Sequence, residues 1–154
     1  MDTPLSRRLQ QDRFEGPAHA AALNLLLAAG FLLDTSARQF AEFGVTPAQH
    51  NVLRILKGAQ PDGHPRCEIA RRLIERAPDL TRMIDRLERR GLVERARTGQ
   101  DRRHSITRIT PAGLALLERM APATAALNRV LSRRLSRPEV TALSRLCEKL
   151  YAPG

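Results

Sequence analysis

The chain has 154 residues, enough for one domain that buries about 70% of its unfolded surface without a disulfide or metal staple. Of its 26 basic residues 24 are Arg, and against 16 acids they leave a formal net charge of +10, which points to a polyanionic partner; a GC-rich genome accounts for Arg over Lys equally well, but not for that net charge. Aromatic rings are limited to Phe14, Phe31, Phe40, Phe43 and Tyr151, so residues 44–150 offer no platform for stacking unpaired bases, and double-stranded DNA is favoured over single strands or RNA loops.

Residues 1–16 are polar, mixed in charge and without period, and are expected to form a loose arm that is at most partly helical. Arg7, Arg8 and Arg13 before the mostly apolar run 20–33 imitate a secretory leader. The run is interrupted by Asn24 and, at 14 residues, falls short of the roughly 20 needed to span a bilayer, so a packed helix is expected and no membrane partner. Pro17 suits a first helical position, and residues 18–43 are rich in Ala and Leu nearly all round. A chain of this size cannot cover such a helix on every side, which predicts packing against a second subunit.

Thr46-Pro47-Ala48-Gln49 reads as a capping box, opening a helix with Val52, Leu53, Ile55 and Leu56 that ends near Lys57 or Gly58. The loop Gln60-Pro61-Asp62-Gly63-His64-Pro65 follows, then a short helix over about 68–75 with Ile69, Ala70 and Leu73 inward. Pro78 is expected to open a further helix that runs to Arg90 and stops at Gly91. Residues 92–95 and 105–109 read as strands joined by the polar loop Thr98-Gly99-Gln100-Asp101-Arg102-Arg103. Thr110-Pro111 caps a long helix carrying Leu114, Leu116, Leu117 and Met120, which Pro122 should kink or break. Ser136-Arg137-Pro138-Glu139 is a second capping box, and its helix has Val140, Leu143, Leu146, Cys147 and Leu150 on the apolar side. The pattern is mainly α with one hairpin, a helix-turn-helix followed by a wing.

Residues 66–108 hold 13 Arg against seven acids, so the charge is concentrated where the helix-turn-helix and hairpin are predicted. At 100° per residue Leu80, Ile84 and Leu87, with Met83 beside them, form the buried stripe of the helix after Pro78. Pro78, Arg82, Asp85 and Arg89 point away, Arg86 lies at their edge, and Asp79 and Thr81 flank the stripe near its amino end. Arg on such a face suits guanine O6 and N7 in a major groove, and an acid suits cytosine N4. In isolation such a face is more often an ordinary solvated one, stitched by pairs from Asp85 to Arg82 or Arg89; the adjacent hairpin shifts the balance to the groove. Arg97, Asp101, Arg102 and Arg103 are the candidates on the wing, whose tip suits a minor groove.

Other chemistries find little support. Cys67 and Cys147 form no disulfide or zinc pattern, and His19, His50, His64 and His104 are scattered, so no metal or other cofactor is expected and a cytoplasmic setting is. No nucleophile, base and orienting group recur at useful spacing, so no catalytic residue is assigned and an enzyme is not expected.

Several strings resemble the multiple-antibiotic-resistance-regulator (MarR) family of winged helix-turn-helix transcription factors over roughly residues 18–151. Residues 80–93, Leu-Thr-Arg-Met-Ile-Asp-Arg-Leu-Glu-Arg-Arg-Gly-Leu-Val, are similar to its recognition helix and first wing strand. Asp101-Arg102-Arg103 resembles its wing motif, and Ile109-Thr110-Pro111-Ala112-Gly113 its junction to the following helix. Weaker likeness lies in the Thr46 capping box and in Glu68-Ile69-Ala70 with Leu73. The resemblance implies an arm over 1–17, a helical dimerisation region over 18–43 and 111–154, and a winged helix-turn-helix DNA-binding domain over 44–110.

It also implies a homodimer on a pseudo-palindromic operator, most often as a repressor, with Arg82 and Arg86 reading bases, Asp79 and Thr81 in support, Arg103 in the minor groove and Arg102 on phosphate. Many relatives bind small aromatic acids between the dimerisation helices and the winged domain. Arg38, Gln39, His50, Asn51 and Arg54 are the polar residues here that would line such a pocket for an aromatic or anionic effector. Cys67 stands where many members have a Ser or Thr cap, and Ile74-Glu75-Arg76-Ala77-Pro78 is an unusual turn. Next to Arg66 and near His64, Cys67 is a candidate redox thiol. The competing expectations are a regulator that senses oxidants through Cys67 and a nucleoid- or ribosome-associated binder without sequence preference.

Overall fold

A computed structural model describes residues 3–97 and 105–152. Among them the order is α1 (Pro4–Leu9), α2 (Pro17–Ala41), α3 (Pro47–Gly58), β1 (His64–Pro65), α4 (Arg66–Arg72), α5 (Leu80–Arg89), β2 (Val93–Arg97), β3 (Ser105–Ile109), α6 (Pro111–Ser132) and α7 (Arg137–Tyr151). Local chemistry sets most of these boundaries. The Thr46 capping box forms as the sequence demands, with Gln49 N–H donating to Thr46 Oγ1 at 3.2 Å and Thr46 N–H to Gln49 Oε1 at 2.9 Å. The Glu139 carboxylate likewise accepts from the backbone N–H and the hydroxyl of Ser136, both at 2.7 Å. Helix α5 closes in a Schellman motif: Gly91, at φ +68°, donates to Glu88 O and Leu92 N–H to Leu87 O.

The arm at the amino terminus is partly helical, as expected, but it is packed and not loose. Thr3 accepts from Ser6 N–H and Pro4 takes the first helical turn, so a short helix forms, and Leu5 and Ser6 are buried as α1 packs on α2. No apolar period announces it, because six residues are too few to show one.

The turn between α4 and α5 is also different. Helix α4 ends at Arg72, with Leu73 extended, because Asn51 Oδ1 accepts Ile74 N–H at 2.9 Å and holds the chain away from a further turn. Ile69 is fully buried and Leu73 half-buried, but Ala70 is exposed, contrary to its expected inward position. Pro78 does not open α5. Leu80 N–H donates to Ala77 O across a tight turn in which Pro78 takes the second position, and Asp79 stands at the cap. Cys67 is not a cap either: Pro65 holds that position and Cys67 is the second residue of α4, exposed.

Strand β3 is central in an antiparallel sheet of order β1-β3-β2, with Arg95 opposite Thr107 and Val93 opposite Ile109. Strand β1 was expected to be loop. It pairs His64 with Thr107 and Pro65 with Ile106, and Gly63 (φ +75°) enters it so close to the Thr107 carbonyl oxygen that a side chain would overlap that atom. A pairing of two residues leaves no sequence alternation to detect.

The core lies between α3, α4, α5, the sheet and the first half of α6. Val52, Leu53, Leu56, Ile69, Leu87 and Met120 are wholly buried there, each contributing about 1.5–3 kcal/mol over exposure. Gly113 lets α6 approach β2, since a Cβ would overlap the Leu92 carbonyl oxygen. Helix α6 runs through Pro122 unbroken.

The terminal helices are poorly covered. Of the 25 residues of α2 only Ser36 and Phe40 are buried, and Leu25, Leu26, Phe31 and Leu33 are exposed. By length and composition the 25-residue α2 is long and apolar enough to cross a membrane, where the 14-residue run 20–33 alone falls short. No residue of α7 is buried, and Leu146 and Leu150 are 56% and 72% exposed.

Candidate nucleic-acid interface

Helix α5 is built as its sequence period requires. Leu80, Ile84 and Leu87 are buried, Met83 is half-buried beside them, and Thr81, Arg82, Arg86 and Arg89 are exposed along the opposite side with Pro78 and Asp79 ahead of them. Burial of the stripe leaves the helix one face to present, and that face carries three guanidinium groups.

Their surroundings differ. Arg82 is 76% exposed and 3.6 Å from the exposed Asp79 carboxylate, a pair too solvated to hold it. Arg89 Nε donates to its own helix at Asp85 O, 3.3 Å away. Thr81 Oγ1 accepts from Arg66 Nη1 at 2.7 Å. No local pattern singles out Arg66 for this role, because the contact spans 15 residues and depends on how the turn folds.

Asp85 is not stitched to Arg82 or Arg89. Its carboxylate accepts from Arg95 Nη2 at 2.5 Å, Arg95 Nη1 lies 3.3 Å from Glu88 Oε2, and Glu88 Oε1 accepts the Arg95 backbone N–H. Arg95 thus clamps β2 against α5, and Asp85 works within the protein as an acceptor. Residues 85, 88 and 95 have an i, i+3, i+10 spacing that no helical or strand period links, so the clamp was not visible beforehand. On the wing, Arg97 is the last residue of β2, in register with Ser105. Asp101, Arg102 and Arg103 lie outside the described residues.

A second feature sits behind α5. A cavity of about 300 Å³ opens between α2, α3, α6 and the turn after α4. Of the five polar residues expected there it gathers His50, Asn51 and Arg54, whereas Arg38 and Gln39 are not in its wall. Arg38 lies on the exposed side of α2, donating to Thr35 Oγ1, and Gln39 Oε1 is buried with no hydrogen-bond partner among the described residues. Asn51 Oδ1 is occupied by Ile74 N–H. The His50 ring lies 4.5 Å from that of Phe40, and burial, then the nearby Arg54 charge, hold its pKa below the usual histidine value. His50 is therefore neutral near pH 7, and the wall carries one cation, Arg54, and one anion, Glu75. Phe40, Ile74, Glu75 and Leu127 are among the other residues of the wall and are not foreseen from the sequence, since they come from three separate elements.

Arg90 ties α5 to the chain that follows α2. From the end of α5 its Nη1 donates to Gly44 O at 2.5 Å and its Nη2 to Phe43 O at 3.2 Å, just beyond α2. Cys67 and Cys147 are free, and among the described residues no three His, Cys, Asp or Glu side chains gather to hold a metal.

A helix-turn-helix followed by a hairpin, whose second strand also pairs with β1, and framed by long helices, defines the class as a winged helix-turn-helix protein. The sequence model of the MarR family matches residues 45–105. A MarR transcription factor from Planctomyces limnophilus is 34% identical, with 88% of this chain and 98% of that one covered and a TM-score of 0.69. The transcriptional repressor CouR, solved bound to a 23-mer DNA duplex, is 32% identical over 84% of this chain and 90% of its own, with a TM-score of 0.74. A MarR-family regulator from Silicibacter pomeroyi is 25% identical, covering 89% and 91%, with a TM-score of 0.71. The chain belongs to the MarR family of transcription regulators.

Proposed function

We propose that the protein is a cytoplasmic, dimeric repressor that reads a pseudo-palindromic operator in double-stranded DNA and is released by a small aromatic or anionic effector. The observation that carries this is the division of α5 into a buried stripe, Leu80, Ile84 and Leu87, and an open face bearing Arg82, Arg86 and Arg89. Arg82 and Arg86 read guanine edges, with Asp79 and Thr81 in support, Pro78 at the groove's edge and Arg89 toward phosphate. Arg97 and Asp101 to Arg103 belong to a wing that enters the minor groove. The unit over 44–110 binds DNA, and 18–43 with 111–154 form the dimer. The likeness to CouR, a repressor solved on a duplex, supports the operator and the repression.

Open apolar side chains on α2 and α7 support the dimer, since leaving Leu26, Leu146 and Leu150 in water forfeits about 1.5 kcal/mol or more each. The cavity supports the effector: Arg54 offers an anion one guanidinium, Phe40 and Leu127 offer apolar walls, and Ile74 and Glu75 belong to the turn that sets α5. An occupant there pushes on the element that places the recognition helix.

Selection of bound duplexes from a random library tests the proposal. The expected result is a pseudo-palindrome with half-site centres about 10 bp apart. Specific and random duplexes that differ only a few-fold across a salt series would refute it, because specific sites win by about 10³ or more. In sedimentation, Leu146→Glu with Leu150→Glu should give monomer, and an unchanged dimer would remove α7 from the interface.

A further inference from the structure

We propose that Arg66, at the first position of α4, is a positioning residue that sets the hydrogen-bonding sense of Thr81 and thereby decides which base-edge atoms that hydroxyl reads. The inference rests on the DNA-reading function proposed above and deepens it. Arg66 Nη1 and Thr81 Oγ1 are 2.7 Å apart. A guanidinium only donates, so the threonine oxygen accepts, and its own proton points away from Arg66. Thr81 is the second residue of α5, exposed, and adjacent to Arg82.

Guanine O6 and N7, adenine N7 and thymine O4 accept in the major groove, whereas cytosine N4 and adenine N6 donate. A threonine free to rotate serves either set. Braced by Arg66, Thr81 presents its proton outward, and an amino group approaching the oxygen would meet the positive guanidinium already bound there. Thr81 therefore favours acceptor atoms. Among the described residues Arg66 is exposed and enters no ion pair with Asp or Glu. Its charge and its other N–H groups stay available to a phosphate of the same half-site.

Wild type, Arg66→Ala, Arg66→Lys, Thr81→Val and Thr81→Ser would each be used to select duplexes from a random library, with affinities measured across a salt series. Thr81→Val and Arg66→Ala should both lose roughly five- to tenfold discrimination at one and the same base pair of each half-site, and Thr81→Ser should keep it. Arg66→Ala should also lower the slope of log K against log salt by about 0.9 for each Arg66 phosphate contact, and Arg66→Lys should restore that slope. A merely structural role would lower the urea midpoint of Arg66→Ala and weaken all sequences alike with the consensus intact, which overturns the proposal. Loss of preference at a base pair other than the one affected by Thr81→Val overturns it as well. Absence of any consensus for wild type is a different failure, since it sinks the DNA-reading function and this inference with it.

Discussion

Replacing Arg95 with Ala removes the clamp between the wing strand and the recognition helix without touching the exposed face of α5. The Arg95 side chain is 28% exposed, and its partners Asp85 and Glu88 are 41% and 38% exposed, so both ion pairs are screened by solvent. Pairs in that setting contribute about 0.2–1 kcal/mol each. The backbone bond from Arg95 N–H to Glu88 survives the substitution, while the packing of the arginine stem is lost. A total loss of about 1–2 kcal/mol follows, which at a urea slope of about 2 kcal/mol/M lowers the midpoint by roughly 0.5–1 M. Raising the salt should narrow the gap between wild type and variant, because the pairs reach solvent. A double-mutant cycle with Asp85→Asn and Arg95→Gln should give a coupling of about 0.5–1 kcal/mol. Affinity for the selected operator should fall with the clamp, since β2 then no longer holds α5 at a fixed angle. An unchanged urea midpoint, or a coupling indistinguishable from zero, would show that the contact does not hold the two elements together.

The remaining predictions concern the cavity and the packing beneath the wing. His50 has a folded pKa below its ordinary 6.5, so the unfolded chain binds the proton more readily. Stability from the neutral ring is complete above about pH 6.5 and is lost as pH falls through the depressed folded value; urea midpoints of wild type should therefore drop more steeply on acidification than those of His50→Gln, and parallel curves would exclude His50 as the cause. Gly113→Ala should cost about 1–3 kcal/mol despite the better helix propensity of Ala, because the new methyl group meets the Leu92 backbone carbonyl, which cannot rotate away. A Gly113→Ala variant more stable than wild type would show that α6 can shift off β2 at little expense.

Much of this protein is legible in short windows of sequence. The capping residues Thr46 and Ser136 with their partners three positions on, the stop at Gly91, and the stripe of Leu80, Ile84 and Leu87 all concern atoms within one or two turns of each other, so residue type and spacing suffice to specify them. The open arginine face of α5 follows from that stripe by geometry alone. Tertiary structure decided what depends on distant partners. Pro78 is as well suited to a helix start as to a tight turn, and the Asn51 bond to Ile74, 23 residues away, together with the turn from Ala77 to Leu80, selects the turn. Strand β1 exists only because β3 offers it an edge. Asp85 could have paired along its own helix, but Arg95 reaches it from β2 once the sheet packs on α5. The cavity keeps His50, Asn51 and Arg54 and drops Arg38 and Gln39 because the face of α2 that reaches it carries Leu33, Ser36 and Phe40. Charge and period along the chain determine which face is presented; only the packing of one element on another determines which of its side chains remain free to act.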